Sequence, residues 1–208
     1  GLYIIVQQFE NHLIYPLVVQ KTVGVPPLLV IIAIIVGGKL AGIYGIILSV
    51  PLAAVLDHVK GERKLSPRSI ALTFDDGYVD HFTVVRPLLR EFNAPATFFV
   101  ICQAIETRET VDGLRGASSL RQSMSLDQVC SLSEGGMEIG SHSMTHAWLS
   151  ELNDSQITHE IFGSKTFLEE GLGKAVRTFA YPFGAYRSFN GKTRTALQSA
   201  GYEGACVN

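Results

Sequence analysis

Residues 72–78 read LTFDDGY, an apolar stretch of strand character that ends in two adjacent carboxylates, Asp75 and Asp76, and a glycine. Like charges side by side repel, so an opposite charge is needed to offset them. Further along, His142 and His146 stand four apart in GSHSMTH, a spacing that sets both imidazoles on one side of a helical turn. Singly these are weak signals, because Asp-Asp-Gly is common in turns and helix caps. Together they offer one carboxylate and two neutral imidazoles, three ligands that leave positions open on a divalent cation. The second carboxylate then has a use, since beside a cation its charge is stabilised and it can take a proton from water. His12, His58, His81 and His159 have no such partner and are read as surface or capping residues.

The elements that must bring these residues together follow from periodicity. From residue 65 onward short apolar runs alternate with amphipathic stretches, the pattern of βα units around a parallel sheet or barrel. Strands are expected at 69–74, 96–101, 137–139, 178–181 and 204–207. Pro87 suits the first turn of a helix that buries Leu88, Leu89 and Phe92. Ser125 and Gln128 form a capping box for another. Ile157, Ile161, Ser164 and Leu168 make the core stripe of a third, broken by one serine. Residues 103–124 read as a surface loop. FDDG, GSHSMTH and YPFGAY each begin where an expected strand finishes, and in a parallel βα architecture all strands end on one face. Residues distant in sequence therefore converge.

The first quarter obeys different physics. The 208 residues carry a net charge of -2, which gives no reason to expect a nucleic-acid partner, yet within 1–56 only Glu10, Lys21 and Lys39 are charged. Residues 25–56 form an apolar run broken at Gly37, Gly38 and Lys39 into limbs at 28–36 and 40–56, which reads as a broken transmembrane helical segment. Lys60, Arg63, Lys64 and Arg68 follow it, and the positive-inside rule places that flank in the cytoplasm. The implied organisation is a membrane segment at 1–56, a basic linker at 57–68 and a soluble domain at 69–208. Cys102, Cys130 and Cys206 are odd in number and widely spaced, so they read as buried or incidental thiols.

TFDDG, HSMTH and FAYPFG, in that order, resemble the first three motifs of the polysaccharide deacetylase (NodB homology) family. That resemblance runs from about residue 65 to the end and implies a distorted (β/α) barrel that removes acetyl groups from N- or O-acetylated carbohydrate. It implies Asp75 as general base and Asp76, His142 and His146 as ligands of a divalent metal ion, most commonly zinc. It also implies Tyr181, Pro182, Phe183 and Gly184 as the groove wall beside the acetyl group, and an acetylated oligo- or polysaccharide as partner. Ala180 stands where the family often has an arginine, and Arg177 lies too early to replace it. The family's later strands, with a histidine that acts as general acid, are expected beyond Val207, so the barrel is expected to be incomplete.

QQFENHLIYPLVVQK and the later SVPLAAVL resemble the C-terminal end of the autoinducer-2 exporter family of permeases, over residues 1 to about 60. This implies membrane association through residues 1–56. Deacetylases of surface polysaccharide work outside the cytoplasm, whereas the basic flank points inside. Three readings follow: a metal-dependent carbohydrate deacetylase behind a membrane segment, a permease remnant or chimeric chain carrying an inert deacetylase-like part, or a binding protein without turnover.

Overall fold

A computed structural model of the chain describes residues 48–65, 69–108 and 122–207. Strand β1 (Leu48–Val50) is followed by helix α1 (Leu52–Val59), then β2 (Ser69–Ala71) and β3 (Thr73–Phe74), helix α2 (Arg86–Glu91), β4 (Thr97–Val100), and helices α3 (Cys102–Thr107) and α4 (Leu126–Glu134). The second half carries β5 (Glu138–Ser141), helices α5 (Asp154–Thr158) and α6 (Ser164–Leu172), β6 (Thr178–Ala180), helix α7 (Gly191–Ser199) and β7 (Gly204–Cys206). Strands β3 to β7 pair in sequence order and all in parallel, and β1 pairs in parallel with β2, the start of the first strand. The result is a curled half-barrel with helical crossovers.

Alternation along each strand divides the core in two. Phe98 and Phe179 turn outward to the helices, where Leu89, Leu132, Ile161 and Leu168 meet them. Phe99 and Ala180 turn inward with Ala71, Leu52 and Val55. Gly140 permits this inner packing, because a Cβ there would lie 2.4 Å from Phe99 Cε1 and 2.8 Å from Thr178 Oγ1. The apolar run 96–101 is buried throughout, as expected of a parallel strand covered on both faces.

Several expectations hold. Ser125 Oγ accepts from the Gln128 N–H at 3.2 Å and Gln128 Oε1 from the Ser125 N–H at 2.9 Å, completing the capping box. Ile157, Ile161, Ser164 and Leu168 are all buried. Their helix widens into a π-helical turn at His159–Gly163, between α5 and α6. A similar turn at His81–Val85 leads into α2.

Others are corrected. The third strand starts at Glu138 and runs on to Ser141, reaching His142 without a gap. Of the stretch 103–124, α3 takes the first residues, and 109–121 lie outside the described residues. His81 is no surface residue: its ring packs 5.6–5.8 Å from those of Phe74, Tyr78 and Phe98. The apolar limb 40–56 is not one continuous helix, because Leu48–Val50 is a strand and α1 starts at Leu52. Pro51 supplies the reason: it lacks an N–H, and its ring disfavours helix at the residue before it. Leu52, Ala54 and Val55 bury their side chains within the protein's own fold, and the expected boundary at residue 56 falls inside α1. Among the described residues no helix is long and apolar enough to cross a membrane. Residues 1–47, with the first apolar limb and its glycine break, lie outside them.

Candidate metal centre

Strand β3 ends directly before Asp75, and the chain turns sharply through Asp76 and Gly77, at φ 73° and 75°. The left-handed region is open to glycine but costs another residue about 1–3 kcal/mol. Gly77 also needs its lack of a side chain, since a Cβ there would come within 3.2 Å of Val100 Cγ1. The turn is held from outside: the Met124 N–H donates to Gly77 O at 2.9 Å and the Val79 N–H to Gln122 O at 2.8 Å.

The histidine loop leaves β5 in the same way. The His142 N–H still donates to Val100 O at 2.9 Å, and the chain then turns through Ser143 (φ 65°) and on to His146 (φ 61°). His142 and His146 therefore lie on a strand-end loop rather than the helical turn that their spacing suggests. Side chains supply the hydrogen bonds that a helix would have supplied. Ser143 Oγ accepts from the His146 N–H at 3.0 Å, and Ser141 Oγ accepts from the Ser143 N–H at 3.2 Å. The carboxylate of Glu160, only 4% exposed, accepts from the N–H groups of Met144 (3.0 Å) and Thr145 (2.9 Å) and from the Thr145 hydroxyl. The N–H of Gln103 ties Met144 O to the start of α3 at 2.9 Å.

The two loops meet. Asp76 Oδ1 lies 3.5 Å from Nε2 of His142 and 3.5 Å from Nε2 of His146. The three ligand atoms all lie within 4.8 Å of one another. Tetrahedral ligands at about 2.1 Å from a common zinc ion stand roughly 3.4 Å apart, so the donor types and the two 3.5 Å separations suit a divalent cation. The second ring nitrogen of His142 strengthens the fit. Nδ1–H donates to Ala180 O at 2.9 Å, which leaves the Nε2 lone pair facing Asp76.

The third motif supplies different things from its four residues. The Tyr181 ring is buried and stacks on Phe189 at 3.9 Å, while its N–H continues the sheet to Cys206 O. Pro182 and Gly184 are buried in the turn, and the Gly184 N–H closes it on Tyr181 O at 3.1 Å. Phe183, at φ 65° and 42% exposed, stands 4.6 Å from the His146 ring and 4.7 Å from Trp148. Of the four, Phe183 borders the histidines.

Asp75 lies within electrostatic reach of Cys206. The Cys206 thiol is pushed up to about 12, first by burial, then by the charges of Asp75 and Glu138. Arg177 precedes β6, at the start of the strand, and pairs with Asp57 at 2.6 Å and Glu203 at 2.7 Å. Sequence reasoning missed Ala180, which acts through a backbone oxygen that no side chain announces. It also missed Glu160. The serine that interrupts the stripe at 164 was the available signal, since Ser164 Oγ is hydrogen-bonded to Ser141 Oγ at 2.9 Å beneath the histidine loop.

Comparison with known proteins identifies the family and the fold. The AI-2E family transporter model matches residues 1–62. YxkH of Bacillus subtilis, named for a polysaccharide deacetylase, is 26% identical over 142 residues, 68% of this chain and 45% of its own. A peptidoglycan-N-acetylglucosamine deacetylase of Bacillus cereus is 31% identical over 147 residues, 70% of this chain and 59% of its own. The chain thus spans about half the length of these relatives. Among solved structures, the deacetylase domain of BpsB from Bordetella bronchiseptica superposes with a TM-score of 0.68 at 22% identity, over 92% of this chain and 80% of that one. With the polysaccharide deacetylase family model matching residues 62–205, the chain belongs to the polysaccharide deacetylase family.

Proposed function

We propose that this chain is a metal-dependent hydrolase that removes acetyl groups from N- or O-acetylated carbohydrate. The observation that carries the reading is the position of Asp76 Oδ1, 3.5 Å from each of two histidine nitrogens on a separate loop. Asp76, His142 and His146 would hold a divalent metal ion, zinc by preference for two imidazoles and one carboxylate. When bound, such an ion supplies Lewis-acid polarisation of the acetyl carbonyl and acidification of water.

The residues of the chain do the rest. Asp75, next to Asp76 in the same turn, takes a proton from the water whose oxygen attacks the acetyl carbonyl carbon. The bond from that carbon to the sugar nitrogen or oxygen then breaks, the proton held by Asp75 passes to that sugar atom, which leaves as amine or hydroxyl, and the acetic acid formed ionises to acetate. His142 is kept in the ligating tautomer by the carbonyl of Ala180. Phe183, with Trp148 beside it, walls the pocket next to His146 and limits the access of bulk water.

We place the chain at a membrane, supported by the transporter-family match at 1–62. The basic residues Lys60, Arg63, Lys64 and Arg68 favour the cytoplasmic side for this flank, whereas a surface-polysaccharide substrate favours the outside. The enzymatic reading is tested by acetate release from N-acetylglucosamine oligomers and from acetylated xylan, before and after chelation and zinc readdition. Release that stops on chelation and returns with zinc is expected. Zinc bound without acetate release from any acetylated sugar would make the domain a binding protein instead.

A further inference from the structure

We infer that residues 48–60 form the floor of the deacetylase fold, although they lie wholly within the transporter-family match and before the deacetylase match begins. The receptor for this segment is a polar cluster at the start of three strands. Glu138 opens β5, Thr97 opens β4, and Thr178 opens β6. Glu138 Oε2 accepts from the Ala53 N–H at 2.9 Å and from the Thr97 hydroxyl at 2.9 Å, while Oε1 accepts from the Thr178 hydroxyl at 2.9 Å. Thr97 Oγ1 in turn accepts from the Leu52 N–H at 3.0 Å. Pro51, at the N-cap of α1, makes no side-chain cap hydrogen bond, so the carboxylate from β5 and the hydroxyl from β4 fill that role.

Further contacts point the same way. Leu52, Ala54 and Val55 are at most 7% exposed, and Leu52 and Val55 pack with Ala71, Phe99 and Ala180. Leu56 lies so close to β7 that a Cβ on Gly204 would come within 2.5 Å of its Cδ2. Arg177 joins Asp57 of α1 to Glu203, and Lys60 reaches Glu203 at 2.5 Å. Upstream of the helix, β1 adds a parallel strand to β2 over three registered pairs.

A free linker or inert tail would make none of these contacts. The strands gripped at one end by Glu138 lead at the other to the loops with His142 and Tyr181, so the floor holds the spacing of the strands that present the candidate site. This placement does not rest on the enzymatic reading.

The test uses the full chain in mild detergent, with a site-specific protease sequence inserted after Glu62, in the exposed stretch 61–64. After cleavage the N-terminal piece is expected to remain with the rest on gel filtration, and to dissociate when Glu138→Ala is also present. Separation of the two pieces without that substitution would overturn the inference. If the insertion impairs folding, amide exchange on the unaltered chain decides: at least about hundredfold slower exchange across Leu52–Val59 than at 61–64 supports the floor, and equal rates sink it. Thr97→Val keeps the shape of the side chain but removes the hydroxyl that accepts from the Leu52 N–H and donates to Glu138, and it is expected to speed exchange in α1 about tenfold.

Discussion

The carbonyl oxygen of Ala180 lies 2.9 Å from Nδ1 of His142, on the side of the ring away from Asp76. One backbone atom on β6 thus orients a candidate ligand that leaves β5, and the two strands must be in register before the candidate centre exists. They pair through Ser141 and Phe179.

A candidate centre assembled only in the folded chain would bind metal only there, so metal should stabilise the fold. Zinc at about a hundred times its dissociation constant is expected to add about 2.7 kcal/mol, which for a domain of this size raises Tm by about 5–10 °C. His142→Ala should abolish that increment, as read by thermal melting with and without zinc.

The two carboxylates should separate cleanly. Asp76→Asn removes a ligand and is expected to lose zinc, measured by elemental analysis of the purified protein. Asp75→Asn should keep zinc and lower the rate of acetate release by about 10²–10⁴-fold. Equal zinc loss in both variants would refute the assignment.

Glu160 reaches no ligand directly but holds the loop between them through three hydrogen bonds. Glu160→Gln keeps one oxygen and places an amide nitrogen against N–H donors. It should destabilise the metal-free protein by about 1–3 kcal/mol and weaken zinc binding about 10–100-fold, seen in denaturant melts and chelator competition respectively.

The network under the sheet predicts a pH dependence. Hydrogen bonds from Arg177 and then Lys60 hold the Glu203 carboxyl down to about 2. Its unfolded value is near 4.3, so the stabilisation is present above that pH and lost as pH falls toward 2. Solvent screening limits it to about 1 kcal/mol or less. The Tm difference between the unaltered chain and Glu203→Gln should therefore be present at pH 6 and close between about pH 5 and 2.

Much of this was legible in the residues themselves. Strand alternation, the capping box at Ser125 and the stripe from Ile157 to Leu168 are local regularities of a chain covering a sheet with helices, and they appear where periodicity puts them. The parallel order then forces FDDG and HSMTH to one face, so the meeting of Asp76 with His142 and His146 follows from sequence. What the sequence by itself determined is chemical type, spacing and the direction of strands. Only the tertiary structure decided the rest. A spacing of four residues suits a helical turn, but Ser141, Ser143 and Glu160 supply other hydrogen bonds, and the histidines come from a loop. An apolar run suits lipid, but the same residues can bury equally well on a sheet, and Glu138 with Phe99 gives Leu52 and Val55 that alternative. Hydrophobicity records that a side chain avoids water; the partner that shields it is a property of the folded whole.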